Sequence, residues 1–128
     1  MHSHPHPKAR LVLMLALASS AGAHAALIPA HGAGAPAVIV LFGLSAIALG
    51  ALAMLVDRSA RQWPIAAAAL LLASLLVLYV ASRLVVVWPL THAEPVDAIG
   101  AATKLLEAVG LWFALGLMQV PQREGVRP

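Results

Sequence analysis

Pro64-Ile65-Ala66-Ala67-Ala68-Ala69-Leu70-Leu71-Leu72-Ala73-Ser74-Leu75-Leu76-Val77-Leu78-Tyr79-Val80-Ala81-Ser82-Arg83-Leu84-Val85-Val86-Val87-Trp88 is almost wholly apolar and carries one charge, Arg83. A helix needs about 20 mostly apolar residues to cross a hydrocarbon core about 30 Å thick. The stretch has that length, and Trp63 and Trp88 stand where interfacial aromatic anchors belong. It reads as a membrane span.

Three further stretches meet the same test. The expected spans are about 9–28, 36–56, 64–88 and 97–120. Pro29, Pro36, Pro64, Pro89, Pro95 and Pro121 fall at span edges, where a missing N–H is tolerated. Asp97 is placed to cap the fourth helix. The predicted fold is all-α: an integral membrane, up-down four-helix bundle over 9–120, with a disordered His/Pro-rich tail (1–8) and a C-terminal tail (121–128).

Composition agrees. Of 128 residues 62% are hydrophobic and 10% charged, whereas soluble domains hold roughly 45–50% apolar and 25% charged residues. The net charge of +3 is spread over short segments flanking the spans. With few aromatics, that leaves no base-stacking platform, so no nucleic-acid partner is expected. The absence of cysteine excludes thiol catalysis and thiolate metal sites.

Loop charge alternates. Lys8 and Arg10 precede the first span, Arg58 and Arg61 lie in the second loop, and Arg123 and Arg127 end the chain, while the first and third loops have neither Lys nor Arg. The positive-inside rule then puts both termini and the second loop in the cytoplasm of a bacterial inner membrane. A rival is a cleaved signal peptide, with Lys8 and Arg10 before the run Leu11 to Ala18 and a small-residue site at Ala21-Gly22-Ala23 or Ala23-His24-Ala25. Retention is favoured because apolar character continues to Ile28. For helix packing, Ala46-x-x-x-Gly50 with Gly43, and Gly110-x-x-x-Ala114 with Gly116, offer small-residue stripes.

Arg83, Lys104 and Glu107 fall inside predicted spans. A charge at mid-bilayer costs roughly 2.5–3.5 kcal/mol or more unless paired or hydrated. With a rise of 1.5 Å per residue, Arg83 should lie about 8 Å inside the Trp88 boundary, Lys104 about 10 Å from Asp97 and Glu107 about 15 Å. Lys104 and Glu107, spaced i, i+3, share a helix face. Arg83 needs another acidic partner, and Glu94 or Asp97 is nearest by topology. Snorkelling of Arg83 and Lys104, or a register-fixing ion-pair network, is the bland explanation; a proton, ion or ligand site is the functional one. Glu107 is the deepest of the three.

His24, His31 and His92, with Glu94 and Asp97, are candidate metal ligands, since imidazole plus carboxylate suits zinc, copper or iron. Their spacing matches no ligand signature, and a chance cluster of outer-loop histidines is the favoured reading. The tract His2-Ser3-His4-Pro5-His6-Pro7 could hold a metal only loosely. No cofactor is expected, a divalent metal being the one exception.

His24 followed by Pro29-Ala30-His31, Ser82-Arg83, Glu94-Pro95-Val96-Asp97 and Glu107 together resemble small uncharacterised four-span bacterial membrane proteins, with a His/Pro first loop and an Arg–Glu/Asp polar cluster. The chain departs from that pattern in Ala30, where an acidic residue is usual, and in Leu84-Val85-Val86-Val87-Trp88, where a Gly/Pro-rich stretch is usual. The resemblance implies the four-span fold and this residue set, and no activity. A small multidrug transporter is excluded, because its essential carboxylate lies in the first span and this first span has none.

Two functions follow as expectations. The first is a non-enzymatic accessory or interaction subunit in the lipid bilayer, self-associating or docked to a larger membrane complex. The alternative is a proton-, ion- or metal-coupled transport or metal-handling component using the outward polar cluster. An enzyme is not expected: there is no Ser–His–Asp spacing, phosphate loop or paired catalytic carboxylate.

Overall fold

A computed structural model describes residues 6–31, 36–87, 90 and 96–119, the side chains at 30 and 31 excepted. Among the described residues the chain is all-helical. Four helices are formed, α1 (Pro7–His31), α2 (Pro36–Arg58), α3 (Trp63–Leu84) and α4 (Ala98–Met118). Each is long and apolar enough to cross a membrane. Such segments are helical because lipid offers no partner for backbone N–H and C=O groups.

The helix ends follow local chemistry. Pro7 and Pro36 open α1 and α2, and Pro64 lies in the first turn of α3, where proline's fixed φ suits a helix and its absent N–H costs nothing. Asp97 caps α4 as predicted, its Oδ1 accepting the Gly100 N–H at 2.7 Å.

Two boundaries correct the sequence reading. The third helix ends at Leu84, not at Trp88: Val85 is extended (φ −140°, ψ 162°), and its N–H closes the last turn on the Ala81 carbonyl at 2.9 Å. Three consecutive valines are stiff at χ1 and fit extended backbone. Arg83 is therefore in the last turn of α3, where a cation suits the helix dipole, and not several residues inside a span. The first helix is longer than predicted. It includes Pro7 and Lys8, assigned above to the tail, and continues past Pro29 to His31. Pro29 lies within the helix near its C-terminal end, where losing one backbone bond is tolerated. The predicted C-terminal tail and the interfacial Trp88 lie outside the described residues.

α1 packs on α2 and α4, and α3 packs on α4 and more sparingly on α2. The core is formed by Leu13 and Leu17 of α1, Leu49 and Val56 of α2, Ile65 and Leu72 of α3, and Ala114 and Leu117 of α4. Outward-facing positions are just as apolar: Ile47, Leu70, Val77, Leu105 and Trp112 are among the most exposed side chains. An apolar core under an apolar skin is the pattern expected of a chain solvated by lipid.

Of the two small-residue stripes, the one on α4 is used in packing. A Cβ at Gly110 would lie 3.0 Å from Ala16 Cβ and 3.1 Å from Leu72 Cδ1, so a side chain there would press on α1 and α3, whereas Gly43, Gly50 and Gly116 have open space at that position. Gly110→Val is expected to destabilise the bundle by about 1–3 kcal/mol through overpacking. Gly116→Val should leave it unchanged. SDS-titrated unfolding followed by far-UV circular dichroism would compare the two.

A contact with no counterpart in the sequence reading ties the start of α1 to the end of α2. Arg10 is buried, and its Nη1 donates to the Val56 carbonyl at 2.9 Å and to the Ser59 carbonyl at 2.8 Å. The last carbonyls of a helix lack intrahelical partners. Arg10 supplies them from a neighbouring helix.

Candidate functional site

The polar residues of three helices converge at the end of the bundle where α3 stops and α4 begins. On α1, Ser20 and His24 are spaced i, i+4 and share a face. The Ser20 carbonyl can only accept, so the His24 Nδ1 that lies 2.9 Å from it carries the proton. The Ser20 hydroxyl donates in turn to Glu107 Oε1 at 2.7 Å. On α4, Lys104 Nζ donates to Glu107 Oε2 at 2.6 Å. The Glu107 side chain is 0% exposed, and each of its oxygens has a partner. His24 Nδ1 is 3.9 Å from Glu107 Oε1, close enough for an electrostatic contact and too far for a hydrogen bond.

Beside this group, Arg83 lies over the Tyr79 ring, its Cζ 4.2 Å from the ring centroid, a contact made natural by the i, i+4 spacing on α3. Lys104 Nζ is 5.6 Å from the same centroid. Arg83 Nη1 donates to Ser82 Oγ at 3.0 Å, and the Ser82 hydroxyl donates to the Tyr79 carbonyl at 2.8 Å. Arg83 Nη2 is 3.6 Å from Asp97 Oδ2. Of the two acidic partners expected for Arg83, Asp97 is thus within ion-pair range, while Glu94 lies outside the described residues.

A cavity of about 180 Å³ opens between the four helices at this end. Lys104, Arg83, Asp97, Tyr79 and His24 contribute to its polar wall, and residues such as Leu41 and Leu75 to its apolar one. Phe42 of α2 meets His24 edge-on, ring centroids 5.7 Å apart. Glu107 does not line the cavity; His24 and Lys104 do, and both contact Glu107.

No family model matches the chain, and comparison with curated proteins and with solved structures finds no match. What the site can do follows from its geometry.

The structure brings Lys104 to Glu107, Arg83 to Asp97 and His24 to the edge of the first pair. Of the predicted metal ligands only His24 and Asp97 have described side chains, and among the described residues no three His, Asp or Glu side chains come together. The side chain of His31 and the whole of His92 lie outside the described residues. Arg83 and Lys104 are largely buried, against Tyr79 and their carboxylate partners.

Sequence reasoning missed Ser20, Tyr79 and Arg10. For two of them a signal existed. Ser20–His24 and Tyr79–Arg83 are i, i+4 polar pairs on otherwise apolar helices, and such pairs mark the face turned toward a polar neighbour.

Proposed function

We propose that the chain is a small multi-pass protein of a bacterial inner membrane that acts by binding rather than by catalysis, as a non-enzymatic accessory or interaction subunit. The observation that carries this reading is the enclosure of Glu107: both oxygens are engaged, by Ser20 and by Lys104, and the side chain has no exposed surface. A carboxylate that relays protons or ions needs a path to water. One wrapped in this way ties α1 to α4 and fixes their register. The antiparallel up-down arrangement, with both termini cytoplasmic and the cavity facing outward, is supported by the alternation of Lys/Arg along the loops. The exposed apolar faces would meet lipid, a second copy of the chain or a larger membrane complex.

Under this reading Glu107→Gln keeps a side chain of the same shape that still accepts from Lys104. It should cost no more than about 3 kcal/mol, the value of one strong charge-assisted bond. The variant should still co-purify with whatever subunit the native chain brings from its membrane. Loss of that complex by a folded Glu107→Gln protein would count against the accessory role.

A second reading, coupled transport or metal handling, is favoured by one observation. His24 and Lys104 both line the cavity and both contact Glu107, so withdrawal of the Lys104 side chain would open the carboxylate to the cavity. Proteoliposomes holding the purified chain would test it. Proton or cation flux that disappears in Glu107→Gln would establish transport, and metal retained by the wild type but not by His24→Ala would establish metal handling.

A further inference from the structure

We infer that the cavity between the four helices is a binding site for a small apolar carboxylic acid, its carboxylate seated on Arg83 and Tyr79 and its apolar body against Leu41, Leu75 and Leu78. The site goes beyond the accessory role and does not depend on it, since the acid would bind whether or not another subunit docks.

Three features set the chemical class. The first is a surplus of hydrogen-bond donors. The Tyr79 hydroxyl and Arg83 Nε are buried and have no hydrogen-bond partner among the described residues. The Ser82 and Thr103 hydroxyls, by contrast, donate to the carbonyls of Tyr79 and Ile99 and add no free donor. A buried donor left unpaired forfeits its bonds to water, and a ligand that brings acceptor oxygens removes that cost.

The second feature is charge. Lys104 is neutralised by Glu107 at 2.6 Å, but the counterion of Arg83 is poor. Asp97 is 53% exposed and 3.6 Å away, and it already spends Oδ1 on the α4 cap. Among the described residues Arg83 is the incompletely matched cation at the cavity, and a guanidinium fork suits the two oxygens of a carboxylate.

The third feature is the wall. Leu41, Leu75, Leu78 and Val38 offer nothing to solvate a phosphate or sulfate, so a fully hydrated inorganic anion would be held at a loss. A volume of about 180 Å³ compares with the roughly 150 Å³ of an engineered apolar cavity that takes up benzene. That fits a body of one ring or a short alkyl chain. Such an acid could come from the aqueous side as an aromatic acid or from the bilayer as an alkanoic acid.

The test is equilibrium dialysis of radiolabelled benzoate and octanoate against the full chain in lipid nanodiscs, with empty nanodiscs subtracted. Saturable binding near one molecule per chain is expected for at least one acid, with no competition from benzyl alcohol, which has the ring without the carboxylate. Benzoate binding alone would assign an aqueous source, and octanoate binding alone a bilayer source. Arg83→Gln should weaken binding at least tenfold. Tyr79→Phe keeps the ring under Arg83 and should weaken it several-fold. Ser45→Phe, which places a ring in the cavity, should abolish it. Circular dichroism confirms that each variant is folded, and Arg83→Lys, which keeps the charge, should retain part of the affinity. Absence of saturable binding by either acid, or wild-type affinity in folded Arg83→Gln and Tyr79→Phe, overturns the assignment.

Discussion

Lys104→Met is expected to destabilise the bundle by about 3–5 kcal/mol, the cost of leaving a buried charge without its partner. Glu107 has no exposed surface, and the ammonium group that balances its charge, donating to Oε2 at 2.6 Å, is lost. Ser20 would remain on Oε1, but a neutral hydroxyl does not balance a buried carboxylate. The companion experiment is the double variant Lys104→Met/Glu107→Leu. Replacing both members of a buried pair by apolar side chains of similar volume is often neutral or stabilising, so the double variant should recover most of what the single one loses. Unfolding in mixed micelles, followed by circular dichroism, measures both. A double variant as unstable as Lys104→Met alone would show that the loss comes from packing rather than from an unpaired charge.

Arg10→Met should cost about 3 kcal/mol, two charge-assisted bonds of roughly 1.5–3 kcal/mol each taken at the low end of their range. The methionine keeps much of the aliphatic stem and removes the guanidinium, so the Val56 and Ser59 carbonyls at the end of α2 lose their shared donor. Hydrogen exchange should locate the damage, with protection falling in the last turn of α2 and staying unchanged in α3. Uniform loss of protection through all four helices would instead mean that Arg10 holds the whole bundle and not one helix end.

Much of this architecture is legible in sequence because a membrane span is a local property. Length and hydropathy identify four helices without reference to anything distant, and Asp97 announces the start of α4 through a bond to a residue three positions on. The Lys104–Glu107 pair is legible for the same reason, being a single turn of one helix. The end of α3 is not. Val85, Val86 and Val87 are as apolar as what precedes them, and hydropathy does not distinguish a helix from extended chain; β-branching is the relevant signal. Contacts across the bundle are the other class of miss. Ser20 meets Glu107 across 87 positions and Arg10 meets Val56 across 46. Nothing in the local pattern names such partners, so Arg10 reads simply as a flanking positive charge until the helices are packed.

The spacing of Lys104 and Glu107 has a consequence for how such a chain is made. A helix delivered to a bilayer with a bare carboxylate would resist leaving the translocation channel, and so would one with a bare ammonium. Because the two charges sit one turn apart, α4 would carry its own neutraliser into lipid, with no other helix needed beside it. The Ser20 hydroxyl, on α1, finds its Glu107 acceptor only when α4 lies beside it, whereas His24 already has the Ser20 carbonyl within its own helix. The i, i+3 pair balances charge within one helix, whereas the hydrogen bond from Ser20 exists only once α1 and α4 are packed together.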